Sequence, residues 1–293
     1  MLTMWTCPIC KTTNETNKCR SCGFDLSKDY TTHRSLCQFS KSSSKISQPV
    51  QIMDNVLMAS DDWKYVFGRK MDRKQIATIY FQNKKENIGE DAWDVSEKQN
   101  GSIMAWTEER QDGLLDLYIA ANGNIMANRN CISLFCNYRN VENIFGLKFL
   151  KTDRTEVMLS MFYNCNNLKS LNVSHFDTSH VLGMDFMFNQ CESLESLDVS
   201  HFVTSQVTTM RSMFENCVSL KGLDVSHFST SQVSNMQNMF KECKSLKILD
   251  VSNFDTSCVK DLSVPLPEYL AVPQGVRLKT KKQGGLFREL WGD

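Results

Sequence analysis

Four cysteines near the start of the chain carry its most specific chemistry. In "WTCPICKTTNETNKCRSCGFD" Cys7 and Cys10, then Cys19 and Cys22, form two C-x-x-C pairs with eight residues between them. Two residues between thiols let a tight turn aim both sulfurs at one tetrahedral point. A second such turn closes a four-thiolate shell with no position open to substrate. Zn2+ bound there would contribute roughly 10–16 kcal/mol to folding a segment too short for a core of its own. Gly23, just after the last ligand, suits the backbone that such knuckles adopt. The spacing therefore predicts a structural zinc ribbon over residues 1–27, with a redox dithiol as the competing reading.

Further along, potentially reactive residues recur at fixed positions. His175, His201 and His227 are in register, with Asn253 in the same place one step on. Asparagine replaces a hydrogen-bonding imidazole better than a metal-binding one, so a turn role is expected, and a metal or pH-sensing role is the alternative. Asn172, Asp198, Asp224 and Asp250 form a second row, with Ser174, Ser200, Ser226 and Ser252 beside it. Carboxylates stacked this closely repel one another. Hydrogen bonds to nearby hydroxyls are expected to offset the repulsion, and a bound cation or basic partner would do the same. These eight residues are the candidate interaction surface. Cys165, Cys191, Cys217 and Cys243 make a third row, read as small apolar filler rather than metal ligands. His33 and Cys37 lie at a metal-compatible spacing, but in a polar segment that gives them no support.

The elements that position these rows follow from the repeat. The segment Met158-Leu159-Ser160-Met161-Phe162 returns at Met184, Met210 and Met236, each time after 26 residues. Leu134, Phe135, Val141, Ile144 and Phe149 match it after a shift of 27. Within a unit Met210, Met213, Phe214, Cys217 and Leu220 are spaced three, four, three and three apart, the pattern of one helix face. Leu223-Asp224-Val225-Ser226 then alternates as a short strand does. Hydroxyls in "STS" ahead of Val233 suit a helix cap. The sequence thus predicts an α/β solenoid, a leucine-rich-repeat-like stack of strand-turn-helix units whose neighbours share one core.

Two resemblances add to this reading. The order W-x-C-x-x-C-x-x-x-N…C-x-x-C, from Trp5 through Asn14 to Cys22, resembles the Ran-binding-protein type of zinc finger, and implies Cys7, Cys10, Cys19 and Cys22 as ligands. Lys11-Thr12 follows Cys10 where ubiquitin-binding members have Thr-Phe, so only the metal ligands are carried over. "SMFENCVSLKGLDVSHFSTSQV" resembles the BspA-like leucine-rich-repeat group of bacterial surface proteins, and "AWDVSEKQNGSIMAW" the segment that precedes such repeats. This second resemblance implies protein contacts or adhesion and brings no catalytic residues.

The remaining chain falls into place around the repeats. Residues 28–60 are rich in serine, threonine and lysine and read as a flexible linker. Residues 61–157 hold β-rich runs such as "KQIATIYFQN" and "LLDLYIAANGNIMA", a cap over a divergent first repeat. Four repeats occupy 158–261. Residues 262–293 are a C-terminal cap and basic tail, in which Leu286, Phe287, Leu290 and Trp291 could share a helix face.

Lysine plus arginine and aspartate plus glutamate each number 33 in 293 residues, so no net field favours nucleic acid or an anionic membrane. The opening residues lack the pattern of a secretory signal, and no apolar run is long enough for a spanning helix. The twelve cysteines fit a reducing compartment, so a cytoplasmic protein is expected, with the cell surface as the alternative. No nucleophile–base pair, phosphate loop or open metal site is visible. The function expected is a non-enzymatic protein–protein interaction scaffold with a structural Zn2+ and a protein partner. The alternative is a surface adhesin or host-interaction protein exported by an unrecognised route.

Overall fold

The computed structural model describes residues 55–59, 64–259 and 265–280, together with the backbone of two short strands, β1 (Trp5–Thr6) and β2 (Thr13–Asn14). These two pair antiparallel. The four proposed zinc ligands, His33 and Cys37 lie outside the described residues.

Residues 64–127 form the β-rich part of the molecule. Strands β3 (Tyr65–Val66) and β4 (Arg69–Asp72) make a small hairpin. Then come β5 (Ile76–Gln82), β6 (Trp93–Asp94), β7 (Ile103–Glu109), β8 (Leu115–Ala121) and β9 (Ile125–Met126). The next strand, β10 (Asn143–Phe145), belongs to the divergent repeat and joins β5 to β8 in a sheet of order β10-β5-β8-β7-β6. Its β10–β5 and β5–β8 pairs are parallel and the remaining two antiparallel. Alternation along the strands sends Ile79, Phe81, Leu117, Ile119, Ile103 and Ala105 into the core. Gly146 follows β10 with φ 69°, and a Cβ there would lie 2.0 Å from the Phe81 carbonyl oxygen, so only glycine fits that approach. Arg73 is fully buried. Its Nη1 donates to the carbonyls of Ser133 at 2.7 Å and Cys136 at 2.8 Å, tying the sheet to the first turns of the repeats.

The repeats correct the expected fold class. Among the described residues the one α-helix is α1 (Leu266–Tyr269), outside the repeats. The protein is β-rich with small separate sheets, not an α/β solenoid, and the described residues contain no leucine-rich-repeat-like strand-turn-helix units. The Met-Phe-Cys segment, expected as a helix, is a succession of tight turns. Met161 N–H donates to the Met158 carbonyl, Met187 to Met184 and Met213 to Met210, each three residues apart where a helix requires four. Two residues per unit take positive φ: Ser160 and Asn164, Phe186 and Gln190, Ser212 and Asn216, Asn238 and Glu242. Other amides turn outward to the next unit. Met158 donates to Gly183, Ser160 to Asp185, Phe162 to Met187, and the pattern returns from Met184 and Met210.

Units therefore lie in register as parallel layers. Bridges run from Asn130 through Val157, Gly183 and Thr209 to Asn235. Strand β11 (Leu150–Lys151) pairs parallel with β9. On the opposite wall β12 (Ser170–Leu171) pairs with β13 (Ser196–Leu197), and Ser196 bridges Gly222. Phe135, Phe162, Phe188, Phe214 and Phe240 form one buried column with ring centroids 5.2–5.9 Å apart. Phe81 joins its head edge-on at 5.9 Å, so sheet and repeats share a core.

The threonines of the repeat do not cap helices. Thr178 Oγ1 donates to the Val203 carbonyl and accepts from the Val203 N–H, and Thr204 and Thr230 do the same with Ser229 and Asp255. At the far end α1 leads into β15 (Arg277–Lys279), which pairs parallel with β14 (Ile248–Asp250) and supplies the last unit with a neighbour.

A glycine placed at 190 separates turns from helix. In a helix it would cost about 1 kcal/mol. At a left-handed position it relieves Cβ strain of that order. Gln190→Gly is expected to raise the thermal midpoint by up to about 2–4 °C, and a fall by scanning calorimetry would speak for the helix.

Candidate functional site

The polar row lies on the outer side of the wall formed by β12, β13 and β14. Strand alternation buries Leu171, Leu197, Leu223 and Leu249 and turns Asn172, Asp198, Asp224 and Asp250 outward. The structure brings all eight predicted residues onto one face, and it also shows what their polar atoms do. Oδ1 of Asn172 accepts from Ser174 N–H at 3.1 Å and Oγ at 2.8 Å. Oδ1 of Asp224 accepts from Ser226 N–H at 2.9 Å and Oγ at 2.7 Å, and Asp250 holds Ser252 alike. Asp198 accepts from Ser200 N–H at 2.9 Å, while Ser200 Oγ lies 3.1 Å from His201 Nδ1. Each unit thus closes a small turn between its acidic or amide residue and the serine two positions later.

Those serine bonds hold the carboxyl groups of Asp198, Asp224 and Asp250 below the usual carboxylate range. The three aspartates are therefore ionised at neutral pH. At the end of the row Lys279 Nζ stands 3.5 Å from Asp250 Oδ2. At its start Ser170, Leu171, Asn172, Ser174, Ser196 and Asp198 line an open groove of about 330 Å3.

The row does not stop at Asn172. In the offset of 27 that aligns Ile144 with Leu171, Phe145 holds the place of Asn172. Phe145 pairs with Tyr80, Tyr80 with Tyr118 and Tyr118 with Trp106 across β10, β5, β8 and β7. Their rings stack at 5.3, 4.9 and 5.2 Å. One outward register is thus aromatic over the sheet and polar over the repeats. The aromatic half was not identified from the sequence. Its one local signal was the offset of the divergent repeat, and the rest requires pairing between distant strands.

His227 and its counterpart Asn253 take structural positions. His227 Nε2 is 3.0 Å from the Val199 carbonyl oxygen, and Asn253 Nδ2 donates to the Ser226 carbonyl at 2.7 Å, one unit back in each case. Burial lowers the pKa of His175, opposed by a bond to the Leu147 backbone. The repeat cysteines are more than apolar filler. Sγ of Cys165, Cys191, Cys217 and Cys243 donates to the carbonyl of Phe135, Phe162, Phe188 and Phe214 at 3.0–3.2 Å. Burial pushes all four thiols well above their ordinary range, so they stay protonated. Among the described residues no group of three or more His, Cys, Asp or Glu is placed to hold a metal ion.

Comparison with known proteins gives one similarity. A family described as "Mycoplasma protein of unknown function, DUF285" matches residues 129–247 and 198–268, together just under half of the chain. The match covers the divergent repeat and the four that follow, and its description carries no activity. No curated protein matches, and no solved structure matches.

One acidic group was not singled out from the sequence. Asp185 is buried in the turn wall, where its carboxylate accepts from the Thr209 hydroxyl and from Arg211 N–H at 2.7 Å. Burial raises its pKa to about 6, against the bonds to Thr209 and Arg211 and the Arg211 charge. Between its ordinary value of 3.8 and about 6 the folded chain holds a proton that the unfolded chain has released. Stability therefore falls as pH rises through that window and stays low above it, by about 3 kcal/mol. Asp185→Asn keeps the Oδ1 acceptor and removes the charge. It is expected to raise the thermal midpoint at pH 7 and leave it nearly unchanged at pH 4. An equal shift at both pH values would refute this assignment.

Proposed function

We propose that the protein is a non-enzymatic scaffold that binds a protein partner through the outward row Asn172, Asp198, Asp224 and Asp250 and its serines. The observation that supports this is a contrast between two rows on the same wall. Three positions before Phe145, Asn172, Asp198, Asp224 and Asp250 stand Glu142, Lys169, Glu195, Lys221 and Lys247, whose signs alternate from Glu142 to Lys221. Lys169 pairs with Glu142 at 2.7 Å, and Lys221 pairs with Glu195 across adjacent layers. There the stacking of layers is served by opposite charges. The polar row instead places Asp198, Asp224 and Asp250 in consecutive layers, where the Asp250 charge opposes the lowering of the Asp224 pKa by Ser226. Nothing in the packing of the units requires that repulsion, whereas a partner presenting lysine or arginine at matching intervals would relieve it. The turns that fix each carboxylate reduce the ordering cost of binding.

For the amino-terminal segment we propose structural Zn2+ held by Cys7, Cys10, Cys19 and Cys22. The ligand spacing supports this, as does the antiparallel pairing of Trp5–Thr6 with Thr13–Asn14, which lie before Cys7 and after Cys10 in the sequence. The reading expects stoichiometric zinc by elemental analysis of the purified chain, lost in Cys7→Ser/Cys19→Ser. Zinc content that survives both substitutions would reject it.

The surface is tested by charge alone. Asp198→Asn/Asp224→Asn/Asp250→Asn retains every Oδ1 acceptor, so the turns should persist and the thermal midpoint should stay close to that of the parent. In affinity capture from the native cell, a partner held by the parent chain is expected to be lost by the triple variant, and its capture by the parent should weaken with salt. Equal capture by both chains would sink the proposal.

A further inference from the structure

A cleft lies on the outer face of the sheet, beside the Trp106–Tyr118 end of the aromatic row. The connection from β5 to β6 passes over Trp106 there. A Cβ on Gly89 in that connection would lie 2.8 Å from Trp106 Cδ1, so the crossing depends on glycine. Gln82, Asn83 and Asn87 on one side, and Trp106, Glu108 and Tyr118 on the other, line a space of about 390 Å3. That falls within the range of small-molecule sites, about 300–1,000 Å3. Phe149 adds an apolar wall.

Trp106 is 1% exposed, and its Nε1–H has no acceptor among the described residues. A buried donor left unpaired costs about 1–3 kcal/mol. The Trp106 side chain lines the cleft, and a ligand oxygen within hydrogen-bond distance of Nε1 would remove that cost.

The surrounding chemistry narrows the ligand. Lys84 and Glu86 pair with each other at 3.5 Å, and Glu108 accepts from the Tyr118 hydroxyl. Glu108 is thus the unbalanced charge of the lining, which disfavours phosphate and sulfate. Tyr118 has Tyr80 at 4.9 Å on one face and Trp106 at 5.2 Å on the other, leaving no free face on which a nucleobase could stack. Three amides, a carboxylate and an indole N–H remain, arranged around an apolar wall. An amide offers donor and acceptor in one plane, as neighbouring hydroxyl groups do.

We propose that this cleft binds a neutral saccharide. Gln82, Asn83, Asn87 and Glu108 hold its hydroxyls, one oxygen accepts from Trp106 Nε1–H, and its C–H face lies against Phe149. The site is separate from the polar row and does not depend on it.

The test uses the full chain with glucose, galactose, mannose, N-acetylglucosamine, lactose and cellobiose in saturation-transfer NMR, with adenosine monophosphate as the anionic control. At least one saccharide is expected to receive saturation and to shift one indole N–H resonance, identified by its loss in Trp106→Phe. Gln82→Ala and Glu108→Ala are each expected to weaken binding about tenfold or more with circular dichroism unchanged. These two surface variants decide the matter if Trp106→Phe fails to fold. Saturation of none of the six, saturation of adenosine monophosphate alone, or unchanged affinity in both surface variants would overturn the proposal.

Discussion

Layer-to-layer hydrogen bonding at a fixed step is the constraint on which the rest of this molecule depends. Amides at alternate positions of the turn wall donate to the adjoining unit, from Met158 and Ser160 onward. A residue at a given place in one unit is therefore fixed beside its counterpart in the next. For apolar side chains this is favourable, and the phenylalanine column forms with rings 5.2–5.9 Å apart. Small polar groups gain as well, because each threonine hydroxyl both gives and receives a bond across the boundary. Ionised groups are stacked against their own kind. The chain answers by alternating sign where Lys169 meets Glu142, and by placing the buried Asp185 in a single layer, with leucine, arginine and glutamine at the same place in the other units.

A stack of this kind must also end without exposing open amides and carbonyls. At one end the sheet joins the column through Phe81 and the wall through β10, and Arg73 fills the carbonyls of the first turns. At the other end β15 pairs with β14, while Asn238 and Phe240 donate to the Tyr269 and Leu270 carbonyls. Both closures copy the bonding of an internal unit with unrelated sequence. That is why the prolines after residue 262, which break the repeat in the sequence, do not break the pairing in space.

Much of the interior was legible in the chain. The 26-residue step and the inward set Met210, Met213, Phe214, Cys217 and Leu220 can be read directly, and all five are buried. What carries them was misread. Turns closed over three residues, taken in succession, space inward side chains by three and four just as a helix does, so periodicity alone cannot separate the two. The separating signal is chemical. Asn137, Asn164, Asn216 and Asn238 stand at positive φ, a position asparagine tolerates and a helix does not offer. The role of the repeat threonines was misread for a related reason, since "TS" before valine looks like a cap until the neighbouring layer is in view. The stack of Trp106, Tyr118, Tyr80 and Phe145 joins four strands from separate parts of the sequence, and no local pattern announces it.

Comparison among the units separates what the stack requires from what it permits. Inward places repeat without change: Phe162, Phe188, Phe214 and Phe240, and Cys165, Cys191, Cys217 and Cys243. The place of Asp185 varies completely, and the outward register passes from Phe145 to Asn172 to Asp198. In the outward register such variation costs the fold little, because Phe145, Asn172 and Asp198 face solvent rather than the core. Retention of aspartate at 198, 224 and 250 then stands out, since these residues face solvent and carry like charge. The serine bond needs an acceptor but no charge, and Asn172 already serves Ser174 in that role at 3.1 Å. The charge at the other three positions is thus additional to the needs of the turn, which is the physical ground for assigning it to a partner.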